Sequence, residues 1–99
     1  MKPLKFIGSS DDDLAAFPRE VKHVAGYQLF RVQTSLMPSD WKPMLNVGAS
    51  AYEIRVHALG EWRVIYVAKF SDRVYVLHAS KKKTQQIRKE YIELATVRY

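Results

Sequence analysis

The sequence predicts an α+β domain in which helices pack against a curved, mostly antiparallel sheet, and three observations carry that prediction. Residues 52–57 alternate, with Tyr52, Ile54 and Val56 on one face and Glu53, Arg55 and His57 on the other, which is the period of a half-buried strand. Trp62 to Phe70 is apolar on nearly both faces, apart from Arg63 and Lys69, as a central strand covered on both sides would be. Val74 to His78 then follows Ser71-Asp72, a connection too short for anything but an antiparallel return.

The remaining elements fit around this meander. Leu4-Lys5-Phe6-Ile7 reads as a short strand ended by Gly8. Ser9-Ser10-Asp11-Asp12-Asp13 then starts a brief helix, its carboxylates on the positive dipole end. Pro18 stops that helix and opens a second, which runs to about Thr34 with Val21, Val24, Ala25, Leu29 and Val32 in one stripe. Arg19, Lys22, His23, Gln28 and Arg31 lie on its other side, expected to be a solvated face. Met37 to Ala51 carries Pro38, Pro43 and Gly48 and is expected to be a loop pinned by Trp41, Met44 and Leu45. Thr84 is a credible N-cap for a last helix to Tyr99, with Ile87, Tyr91, Leu94 and Ala95 at helical spacing. The expected order is β-α-α-β-β-β-α in a single domain spanning residues 1–99, because a chain of 99 residues supports one core.

Composition narrows the chemistry. Sixteen Lys and Arg against 10 Asp and Glu leave a formal charge of +6, which favours a polyanionic partner: RNA, DNA or an acidic protein. With no cysteine and three widely spaced histidines, there is neither thiolate chemistry nor a metal-ligand spacing, so no cofactor or metal is expected. The longest apolar runs fall far short of a membrane span and no apolar leader follows Lys2, so no membrane partner and a cytoplasmic location are expected.

Three features are poorly explained by structure alone. Arg63 faces the same way as Ile65 and Val67, and a guanidinium there must be paired or reserved for an anion. His78 closes the third strand. Lys81, Lys82 and Lys83 run into the N-terminus of the last helix, where the dipole disfavours cations unless an anion sits among them. Bland readings stand beside these. A strand arginine is more often a surface cation or the partner of a carboxylate such as Glu53 or Glu61. A strand-end histidine is usually hydrogen-bonded structure, a lysine run is normally a solvated turn, and Tyr66 and Tyr91 read first as core.

RNA is cut without metal when a 2′-hydroxyl attacks its own phosphate in line, which needs a base, an acid and cations around the phosphorane. Arg55 and Arg63 supply such cations if strand register brings them onto one face. Lys82, with Lys81 and Lys83, adds charge from a third side, and His78 is the acid/base candidate because imidazole titrates near neutrality.

The chain resembles the RelE/ParE superfamily of type II toxins, and within it the HigB-like, phage-derived branch. The resemblance is carried by Tyr52-Glu53-Ile54-Arg55, by Trp62-Arg63-Val64-Ile65-Tyr66-Val67-Ala68-Lys69-Phe70, by Val74-Tyr75-Val76-Leu77-His78-Ala79, and by Lys82-Lys83-Thr84-Gln85 leading to Ile92-Glu93-Leu94-Ala95. Ser80 stands where that branch often has an aromatic, and Gln86-Ile87 where it often has Thr-Pro. The resemblance implies a RelE-like microbial RNase fold and a metal-independent, ribosome-dependent mRNA endonuclease that inhibits translation. It places Arg55, Arg63 and Lys82 at the family's basic catalytic positions, with Tyr91 standing for its C-terminal tyrosine if the last helix folds back. Its implied partners are mRNA on the ribosome and a cognate helix-turn-helix antitoxin, with the free toxin monomeric and hetero-oligomeric with its antitoxin. A gyrase poison of the ParE type, and a non-catalytic basic module that binds nucleic acid or protein, are the alternatives on the same fold.

Overall fold

The computed structural model describes residues 2–68, 73–81 and 89–99, for 89–91 the backbone only. Its elements are β1 (Leu4–Phe6), α1 (Ser10–Ala15), α2 (Arg19–Gln33), β2 (Trp41–Pro43), β3 (Ala51–His57), β4 (Glu61–Val67), β5 (Val74–Lys81) and α3 (Lys89–Arg98). The five strands form one mixed sheet in the order β1-β5-β4-β3-β2. β1 runs parallel to β5, and the other neighbours are antiparallel. The fold is therefore α+β, as expected, with one strand more.

The extra strand is β2, inside the segment expected to be a loop. Proline cannot donate to a ladder, which makes it a poor strand signal but a tolerated edge residue. Pro43 sits on that edge, opposite Tyr52. Of the three residues expected to pin this segment only Met44 is buried, joined by Val47, while Leu45 is 78% exposed. Trp41 lies partly in solvent with its ring edge-on to Tyr52, 5.5 Å between centroids.

Helices cover both faces of the sheet. On one face α1, α2 and the connection between them deliver Leu14, Phe17, Val21, Ala25, Leu29 and Val32 onto Ile54, Val56, Val64, Tyr66, Val74 and Val76. Each fully buried aliphatic of this kind contributes about 1.5–3 kcal/mol. On the other, Ala95 and Ile92 of α3 close over Ala51, Ile65, Val67 and Leu77, with Met44 and Val47 beside them. The inner stripe of α3 is thus Ile92 and Ala95, whereas Leu94 is 37% exposed.

Two polar residues expected in solvent are buried by this two-sided packing. Gln28 turns in from α2 to clasp Ser39, donating to its hydroxyl at 3.2 Å and accepting from its N–H at 2.8 Å. Glu53 is fully buried because the second face of β3 is covered too. Tyr66 is core, as expected, and burial raises its phenol pKa far above the ordinary value.

The chain end is tied to two glycines. Gly8 has φ +60°, and a Cβ there would meet the Arg98 guanidinium at 2.6 Å, so no side chain fits without displacing it. Arg98 uses that approach to donate to the Leu77 carbonyl at 2.9 Å and the Ser9 hydroxyl at 3.1 Å. The Tyr99 ring packs over Gly48 and its hydroxyl donates to the Ala49 carbonyl. Among the described residues no helix is long and apolar enough to cross a membrane.

Candidate functional site

β3 and β4 place Arg55 directly opposite Arg63 and Glu53 opposite Ile65, so all four side chains share the α3 face of the sheet. Two guanidiniums facing each other across a ladder repel. Glu53 relieves this: its Oε1 accepts from Arg55 Nε at 3.1 Å, and its Oε2 lies 3.7 Å from Arg63 Nε. A buried carboxylate is costly unless paired, and here it has two cations. The three charges sum to +1, and the exposure is unequal. Arg63 is buried, whereas 38% of the Arg55 side chain reaches solvent. The assembly can therefore offer one guanidinium to one phosphate, with Arg55 in front and Arg63 behind.

The expected phosphate clamp is brought together in its arginine part, and Glu53, expected only as the partner of one strand arginine, serves both. The signal for Glu53 lies in the spacing: it stands two residues before Arg55 on a strand whose partner carries Arg63. The bland reading, an arginine paired to Glu53, describes the same geometry. One acid orients both cations, so the two readings coexist.

His78 does not end its strand. β5 continues to Lys81, and His78 pairs with Ile65, next to a register shift between Ile65 and Tyr66. It is buried, and burial lowers its pKa below the ordinary imidazole value, with Arg98 adding to the effect and Asp13 opposing it. The ring is thus neutral at physiological pH, with one nitrogen unprotonated, though burial disfavours the imidazolium. It lines an open cleft of about 360 Å³ between α1 and β5, with Asp13, Phe17, Trp62, Ser80 and Lys81. Ser80 joins cleft and clamp, because it is the register partner of Arg63. Lys81 closes β5 opposite Trp62, its ammonium 5.4 Å from the ring centroid. Lys82, Lys83 and the Thr84 cap lie outside the described residues, as does the Tyr91 side chain.

A second cluster escaped sequence reasoning. At the far end of β3 the two ring nitrogens of His57 hydrogen-bond to Asp40 and Glu61. Its pKa is raised, chiefly by the Asp40 bond; desolvation opposes the rise and Glu61 adds to it. The i,i+4 spacing of His57 and Glu61 across a tight turn was the available signal, whereas Asp40 arrives from the unforeseen β2. Among the described residues no group of three or more His, Cys, Asp or Glu could hold a metal ion.

A basic α+β domain with an acid-organised arginine pair on its central strands is the class that geometry defines. The chain belongs to the phage-derived Gp49-like family (DUF891), which matches it over residues 12–99. That family is a RelE/ParE-like toxin family. Among curated proteins none matches the chain.

Proposed function

We propose that this protein is a HigB-like toxin of a type II toxin–antitoxin pair, with a RelE-like fold, that cuts mRNA on the ribosome and so arrests translation. The observation that carries the reading is the Arg55–Glu53–Arg63 assembly on a member of a toxin family. In the proposed reaction the substrate 2′-oxygen bonds to the adjacent phosphorus as the bond from phosphorus to the 5′-oxygen breaks. The 2′-hydroxyl proton passes to neutral His78, and the leaving 5′-oxygen takes a proton from an acid. Arg55, held by Glu53 and backed by Arg63, stabilises the charge that gathers on the phosphorane. Lys82, with Lys81 and Lys83, adds cations on the side of β5, and Tyr91 contacts the substrate from the last helix.

The test is incubation of purified protein with translating ribosomes, with and without EDTA under conditions that keep ribosomes intact. Cleavage that persists and leaves a 2′,3′-cyclic or 3′-phosphate is expected. A 3′-hydroxyl end, or intact message, removes the reading. The neutralisation of Arg63 by buried Glu53 is the observation that favours a ParE-type gyrase poison instead, and inhibition of gyrase supercoiling with intact mRNA would establish it. The antitoxin partner, on this reading, is a small helix-turn-helix protein that binds the toxin and represses their shared operon.

A further inference from the structure

Beside His78 and Lys81, the cleft between α1 and β5 holds residues that the cleavage reaction does not use. Trp62 forms its floor, half-buried, with the Phe17 ring 4.7 Å away at 50° and its indole N–H bonded to the Ala58 carbonyl at 2.9 Å. The indole is therefore fixed in place, with one face toward Lys81. One rim is cationic, at Lys81. The opposite rim is acidic, at Asp13, whose Oδ2 accepts the Ser9 hydroxyl at 3.0 Å. An aromatic platform between a cation and a carboxylate is complementary to a nucleotide: ring on ring, phosphate to the ammonium, exocyclic amine to the carboxylate.

We propose that this cleft binds one unpaired, amine-bearing base of a single-stranded RNA, stacked on Trp62. The proposal rests on the reading that RNA is the substrate, and it adds a subsite on the opposite face of β4 from the arginine assembly. Ser80 links the two, since it lines the cleft and pairs with Arg63. An RNA strand with one phosphate at Arg55 can thus turn around the β5 edge and place a base several nucleotides away on Trp62. Lys81 moves off the indole to the adjoining phosphate. Asp13 accepts from the amine of adenine, cytosine or guanine, and uracil, which has none, binds worse.

The experiment uses Trp41→Phe protein, in which Trp62 is the sole indole, and 2′-O-methyl oligonucleotides, which cannot be cut through the 2′-oxygen. Titration with oligoadenylate should quench Trp62 emission saturably, oligouridylate should need several-fold more, and an abasic strand of equal length should not quench. Lys81→Ala should weaken the adenylate titration and flatten its salt dependence. Trp62→Leu, followed by anisotropy of a labelled strand, should cost about 5- to 150-fold in affinity, the range for loss of one stacked base. No quenching by oligoadenylate, or equal quenching by oligouridylate or the abasic strand, overturns the assignment. Quenching by a protein that leaves mRNA intact would remove the nuclease reading and keep the cleft. Cleavage without quenching would do the reverse.

Discussion

Arg55 and Arg63 are direct cross-strand partners held together by a carboxylate that neither exposes to water, Glu53. Removing that acid takes away the carboxylate that both guanidiniums share and leaves them facing a like charge. Glu53→Ala should therefore cost about 3–5 kcal/mol of stability. Glu53→Gln, which keeps volume and one acceptor, should cost less. Urea denaturation of the three proteins measures this, and an unchanged midpoint for Glu53→Ala would show that the pairing does not hold the sheet.

The two arginines should separate by experiment. Arg55 is partly in solvent, and exposed ion pairs contribute about 0–1 kcal/mol, so Arg55→Ala should keep its stability while mRNA cleavage falls by about 10²–10³. Arg63→Ala should lose both activity and stability, because it strips a buried partner from Glu53. Arg55→Lys should restore only part of the rate, since the bidentate fork is lost. Growth arrest on expression, read beside thermal denaturation, distinguishes the two, and an Arg55→Ala protein that is still fully toxic would remove the clamp.

His57 makes stability depend on pH in a stated direction. Its pKa is raised above the ordinary 6.5 by the bond to Asp40 and then by Glu61, so folding favours the charged ring. The contribution is fully present below 6.5 and is lost as pH rises through the raised value. His57→Gln should therefore lower the Tm more, relative to the parent, at a pH just below 6.5 than in alkaline buffer. A gap that widens toward alkaline pH would mean that the cluster does not hold an imidazolium.

Much of this fold is written locally in the chain. Period-2 alternation from Tyr52 to Val56 and the stripe of α2 depend on neighbours in sequence, and both appear where expected. What escaped depends on distant segments. Glu53 reads as a surface acid until α3 and the Met44–Val47 stretch bury the second face of β3. Gln28 reads as solvated until Ser39 arrives beside it. β2 is invisible because its signal is its pairing to β3, with proline tolerated at an edge. Of the candidate site, Arg55 and Arg63 were found by residue type. Glu53 was named as one possible partner, but not its burial nor its service to both, since a two-residue spacing along a strand says which face a side chain takes but not what covers it.

Leu59 holds φ 53° in the turn between β3 and β4 and is 64% exposed. A left-handed conformation costs a branched residue about 1–2 kcal/mol that glycine or asparagine largely avoids. Leu59→Gly or Leu59→Asn should therefore raise the Tm, and no function is assigned to the side chain. A fall in Tm would reveal a packing role for this leucine.

The antitoxin, on the proposed reading, has two ways to neutralise the toxin: cover the arginine assembly, or dock on the outer helices and block ribosome entry by bulk. The outer face of α2 favours the second. Tyr27 and Phe30 stand there 54% and 48% exposed, one helical turn apart, with the exposed cations Arg19 and Lys22 toward the start of the same helix. An apolar pair with positive charge at one end fits an amphipathic segment with an acidic end. Arg31, expected to share this face, instead donates to the Met37 carbonyl at 3.0 Å and secures the turn after α2. Arg88 and the Lys89 side chain lie outside the described residues. The informative substitutions are therefore Lys22→Glu, which should weaken antitoxin binding by roughly fivefold at the value of one exposed ion pair, and Phe30→Ala, which should weaken it by about 30-fold if the ring is an anchor. Both should leave mRNA cleavage intact, and Arg55→Ala should leave antitoxin binding intact. Isothermal titration with the co-encoded partner decides: if Arg55→Ala releases the antitoxin while Phe30→Ala does not, the antitoxin covers the arginine assembly and α2 is not its dock.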